Sequence, residues 1–126
     1  MRLKPFILAA VFIALAIPAR AQVCPGVTGS SAKAYAGETL TVSSTALPFT
    51  AAKYNAGGKI PDFAQVTLET APIRYWTNSL TPTATVGMLL TNPQTFTVCG
   101  QGDIQAWLAI RTAADASITV QYFAKN

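Results

Sequence analysis

The chain of 126 residues contains no histidine. That removes Ser-His-Asp and Cys-His nucleophilic sites, and histidine metal ligands, at one stroke. Carboxylates are scarce as well. Glu38, Asp62, Glu69, Asp103 and Asp115 are the full set, scattered over turns and strand ends. Hydrolysis by a carboxylate pair needs two of them converging at roughly 5 to 10 Å, and Asp62, Asp103 and Asp115 each read more simply as turn residues. No Gly-rich loop leads from a strand into a helix, so no phosphate cradle is expected. There is no Cys-x-x-Cys pair for redox chemistry. A Ser-Lys pairing would have to come from Ser30, Ser31 and Lys33, which fall in a small, polar segment. The expectation is a non-enzyme with no catalytic residues, no cofactor and no metal site.

Long apolar runs are also missing. The longest, Phe6 to Ile17, is a dozen residues, too short to cross roughly 30 Å of hydrocarbon as a helix. It follows Arg2 and Lys4, is broken by Pro18, and ends in Ala19-Arg20-Ala21, the pattern of a secretory signal peptide cleaved after Ala21. Residues 1–21 are therefore read as a signal peptide, with no membrane span after cleavage and an exported product, periplasmic or extracellular. Cys24 does not make a lipoprotein site, because Val23 and Ala21 stand where a small residue and a leucine are wanted. Cleavage also removes Arg2, Lys4 and Arg20. Six basic residues then face five acidic ones, and the formal charge drops from +4 to +1. No two basic residues are adjacent in what remains, so the basic patch that nucleic-acid binding requires is not expected.

What is present is β-sheet pattern. After a small, polar N-terminal arm at 22–34, residues 35–126 read as one domain of short alternating strands. Leu40 and Val42 alternate with Thr; Val66 and Leu68 alternate with Gln65, Thr67 and Glu69. Ile73 and Tyr75 share one face, Arg74 and Trp76 the other. Phe96 and Val98, then Ile104 to Ile110, then Ile118, Val120 and Tyr122 continue the period of two. Pro48 limits Leu47–Thr50 to an edge segment, and Lys53–Pro61 is expected as the longest loop. Turn residues recur every eight to twelve positions, which predicts an all-β antiparallel sandwich of about seven to eight strands. Two cysteines behind a signal peptide predict a Cys24–Cys99 disulfide, with free thiols or an intermolecular bridge as the alternatives.

Strand parity places Tyr75 and Tyr122 inward, and Trp76, Trp107, Arg74 and Arg111 outward. These last four are the candidate binding residues. Trp and Arg are enriched at protein interfaces, and an indole can also stack on a sugar ring. Two readings stand: the outward faces are covered and the tryptophans are ordinary packing, or they meet a protein surface, a second copy or a carbohydrate.

The stretch Ile73 to Thr83, Ile-Arg-Tyr-Trp-Thr-Asn-Ser-Leu-Thr-Pro-Thr, resembles the Tyr-Thr-x-Asp-Gly-x-x-Pro-Thr signature of Ig-like domains at the C-terminus of chitobiase and β-hexosaminidase-type enzymes. It is closer to small β-sandwich proteins of tailed-phage and prophage genomes. Glu69-Thr70-Ala71-Pro72-Ile73-Arg74-Tyr75, Pro82 to Gly87, Ala109-Ile110-Arg111-Thr112 and Val120-Gln121-Tyr122 carry that likeness, over about Leu47 to Phe123. Asn78-Ser79 replaces the usual Asp-Gly. The resemblance implies an Ig-like sandwich and a phage-type structural or assembly protein, with a carbohydrate-binding accessory module as the alternative.

Overall fold

The period-two pattern is most regular at the C-terminus, and it becomes the central strand of a sheet. Ala116, Ile118, Val120, Tyr122 and Ala124 are all buried, while the residues between them are exposed or half-buried. A computed structural model describes residues 24–25 and 32–125; the expected signal peptide and most of the arm lie outside the described residues. The elements are β1 (Ala32–Val42), β2 (Leu47–Pro48), α1 (Ala51–Tyr54), a 3-10 turn (Ala56–Gly58), β3 (Phe63–Leu68), β4 (Ile73–Trp76), β5 (Met88–Leu90), β6 (Gln94–Cys99), α2 (Gln101–Ala106), β7 (Leu108–Arg111) and β8 (Ala116–Lys125). β1 thus begins inside the segment expected as an arm. The expected loop at 53–61 is partly helical, and it places Tyr54 in the core.

The eight strands form two antiparallel four-stranded sheets, ordered β1-β8-β3-β6 and β2-β7-β4-β5. Strand one pairs with eight, two with seven, three with six and four with five. This is a long hairpin rolled up on itself, the jelly-roll connectivity. Alternation along a strand says which side chains face in but not which strands are neighbours, so the sequence does not distinguish this order from an Ig-like one.

The core lies between the sheets. Val42, Val66, Leu68, Val98, Ile118 and Val120 from the first sheet meet Ile73, Tyr75, Leu90 and Ala109 from the second, together with Trp107 just before β7. Each large aliphatic buried this way contributes roughly 1.5 to 3 kcal/mol relative to exposure. Tyr75 and Tyr122 face inward as parity predicts. The Cys24–Cys99 disulfide is present, with the Cα atoms 5.4 Å apart, and ties the N-terminal segment to the end of β6.

One partly buried polar contact holds β1, β8 and α1 together. The Tyr122 hydroxyl donates to a Glu38 carboxylate oxygen. The same oxygen accepts from the Thr50 amide, 3.0 Å away, at the start of α1. Burial first, then the bond to the Glu38 carboxylate, push the Tyr122 phenol well above its ordinary value of 10.0. A phenol raised in the folded state stabilises the fold fully below the unfolded-state value near 10, and that contribution is lost as pH rises further. Ultraviolet titration at 295 nm should therefore show Tyr122 un-ionised until alkaline unfolding begins, with stability falling above about pH 10. A Tyr122 that titrates reversibly in folded protein near pH 10 would contradict this arrangement.

Candidate functional site

The four residues expected to share an outward face do not all do so. Arg74 and Trp76 lie on the outer face of β4 as predicted, both half-buried. Trp107 does not. It is fully buried, stacked on Phe49 with ring centroids 3.9 Å apart and the planes 2° from parallel. The reason lies just upstream. Gln101–Ala106, expected as the end of a turn running into an alternating strand from Ile104, folds as α2, with Gly100 before it at φ 84° and Asp103 in its first turn. Trp107 ends that helix in an extended conformation and β7 begins only at Leu108. Parity counted from Ile104 is therefore off by one across β7, and a slip of one residue flips every side chain. Trp107 and Ala109 go inward, Leu108 and Ile110 outward.

Arg111 is also displaced by that slip. It pairs across from the inward-facing Ile73 at the end of the strand, where its guanidinium forms an ion pair with Asp115 at the β7–β8 turn. It takes no part in a surface with Trp76.

The outer face of the second sheet is nevertheless largely apolar, in part through Leu108 and Ile110, which sequence parity places in the core. One row across it runs Leu89, Arg74, Ile110, and the next runs Trp76, Leu108, Pro48. Leu89 is 50% exposed. The loop from β4 to β5 adds Leu80 and Val86, both more than half exposed. That loop is held in place. The Arg74 guanidinium donates to the Gly87 carbonyl at 2.8 Å, and Ser79 donates its amide to the Ala106 carbonyl at 3.0 Å. Gly87 sits at φ 134°, packed between the Cβ atoms of Arg74 and Pro82. A side chain at Gly87 would be strained and would push the loop off the sheet.

The outer face of the first sheet is the opposite in character. Thr39, Thr119, Thr67 and Thr95 form one row across all four strands, and Gly37, Gln121, Gln65 and Thr97 form the next. Gly37, Gln65, Thr67, Thr119 and Gln121 line a shallow depression of about 450 Å³ there. At one end Phe63 and Phe123 stack with centroids 4.5 Å apart.

Four of the five carboxylates close bonds of the frame. Glu38 holds Tyr122 and Thr50, Glu69 accepts from Ser117 and Thr119, Asp62 accepts from the Lys125 amide, and Asp115 meets Arg111. Among the described residues no group of three or more His, Cys, Asp or Glu side chains is placed to hold a metal ion, and no helix is long and apolar enough to cross a membrane. No protein family, curated protein or solved structure matches this chain.

Proposed function

We propose that this is an exported, non-enzymatic sandwich that acts by contact, as a surface, structural or assembly component, and that the outer face of the second sheet is its contact surface. One observation carries the reading. From Trp107, the residue just before β7, through Ile110 the chain is apolar on both sides: Trp107 and Ala109 point inward, Leu108 and Ile110 point outward and are half-buried, and only the inner side is covered by the other sheet. Strands apolar on both sides belong to sheets covered on both sides, and an exposed apolar patch on a small domain marks a site of association. Trp76 and Arg74 stand at the centre of the patch, the residue types that dominate interface energies. The jelly roll is a frame shared by capsid and lectin domains, which suits a contact role but names no partner. The disulfide supports an oxidising compartment, and the leader pattern at residues 1–21 supports export.

A specific feature favours a carbohydrate-binding module as the second reading. The depression on the first sheet offers neutral amides and hydroxyls from Gln65, Gln121 and the threonine row, beside the Phe63–Phe123 pair. Two variants decide between the faces. Leu89→Glu, placed across from Arg74, and Trp76→Ala are expected to leave the fold intact, with Leu89→Glu within about 0.5 kcal/mol of the parent. The parent chain is expected to sediment with a cell-surface or particle fraction, and both variants should shift it to the supernatant. Unchanged sedimentation in both, together with binding to immobilised polysaccharide that Gln121→Ala abolishes, would transfer the function to the first sheet.

A further inference from the structure

Among the described residues four strands form the edges of the two sheets: β1 and β6 in the first, β2 and β5 in the second. An edge strand offers unpaired backbone groups to any other strand, and proteins guard against this with bulges, charges, proline or shortness. Three of these edges are guarded. β1 carries a bulge between Ala34 and Ala36 and bears Lys33 and Glu38. β2 is two residues long and contains Pro48. β5 is three residues long. β6, Gln-Thr-Phe-Thr-Val-Cys, is six residues with no bulge, charge or proline.

The hydrogen-bond phase fixes which groups of β6 are free. Glu69 donates its amide to the Ser117 carbonyl, so the odd-numbered residues of β3 bond to β8. The even-numbered ones bond to β6, in the pairs Ala64 with Val98 and Val66 with Phe96, and the Gly100 amide to the Asp62 carbonyl continues the same phase. Backbone groups of Phe96 and Val98 thus face β3, and those of Thr95 and Thr97 point away from the sheet. Beside this edge runs a cleft of about 160 Å³ between β6 and β5, lined by Tyr75, Met88 and Phe96 among others. Phe96 is half-buried in it, stacked on Tyr75 at 4.7 Å.

We propose that β6 is a self-association edge, where a second copy of this chain adds its own β6 antiparallel about a two-fold axis through Phe96. In that register Thr95 exchanges both backbone bonds with Thr97 of the second copy, and Thr97 with its Thr95. The two Phe96 residues then face each other at a non-hydrogen-bonded position, where side chains come closest and aromatic pairs are favourable. The strand is its own complement under this symmetry, and being neutral it has nothing to repel its copy. The result is a sheet of the first type continued across two molecules. It uses a different surface from the apolar face of the second sheet, so either proposal can fail without the other.

The test is sedimentation equilibrium of the disulfide-intact chain, with folding checked by thermal melting. The parent chain is expected to approach twice the mass of one chain as concentration rises to the millimolar range. Thr95→Lys/Thr97→Lys and Thr95→Glu/Thr97→Glu, whose side chains stand on the exposed face, should each associate at least about tenfold more weakly. An equimolar mixture of the two should recover the doubled mass. Thr97→Pro, which removes only the outward amide and no bond to β3, should weaken association like the charged variants. A parent that stays at one chain mass, charged or proline variants that pair as the parent does, or a mixture that fails to recover pairing, overturns the proposal. Parent that binds only an unrelated extended peptide along this edge overturns the choice of a second copy.

Discussion

Trp107→Ala is expected to be the most damaging single substitution in the chain, lowering stability by about 3 to 5 kcal/mol. The side chain is fully buried, lies flat on Phe49, and spans the space between the sheets where Phe49 in turn meets the edge of Tyr122 at 5.9 Å. Removing it leaves a cavity that the stacked ring and the short strand β7 cannot close. At about 5 °C per kcal/mol for a domain of this size, the melting temperature should fall by roughly 15 to 25 °C. Trp107→Phe should recover most of that loss. Among the described residues the buried indole Nε1–H has no hydrogen-bond partner, an arrangement that itself costs free energy, and a phenyl ring keeps the stacking while removing the donor. Trp76→Ala should cost clearly less than Trp107→Ala, since Trp76 is only half-buried. Equal losses at the two positions would contradict the assignment of one tryptophan to the core and the other to the surface.

Loss of the disulfide is the second large effect. Cys24 and Cys99 are 75 positions apart, and a closed loop of that size restricts the unfolded chain by roughly 4.5 kcal/mol in the chain-entropy model. Replacing both cysteines by serine is therefore expected to cost about 2 to 5 kcal/mol. The loss should appear equally in the parent protein after reduction. Under non-reducing conditions the folded chain should show no alkylatable thiol and a mass two hydrogens below the reduced form. Two reactive thiols in fully folded protein would refute the pairing.

These two positions also show where the sequence is readable and where it is not. The cysteine pairing needed only a count of two and an oxidising destination. The strands of the first sheet were legible because each has one dry and one wet face, as in β8, where Ile118, Val120 and Tyr122 alternate with Thr119 and Gln121. β7 was not, because both of its faces are apolar and its phase therefore rests on where it begins. That point depends on α2, six residues long and too short to show a helical period of its own. The same ambiguity concealed the candidate surface. Leu108 and Ile110 read as core residues, while Trp107, which is core, read as surface. Arg74 and Trp76 were placed correctly because β4 has an unambiguous dry face in Ile73 and Tyr75. Strand order was beyond the sequence altogether, since the pairing of the first strand with the eighth brings together residues as far apart as Ala32 and Lys125.

The contact proposal rests on the second sheet's outer face being covered when the protein is at work. Site-specific photo-crosslinking in cells that express the chain tests that directly, with a photoreactive residue at Leu89 on the apolar face and, separately, at Thr119 on the threonine face. The expected result is a discrete adduct from position 89 and none from position 119. Adducts from 119 alone, or none from 89 in protein that is folded and exported, would contradict the account.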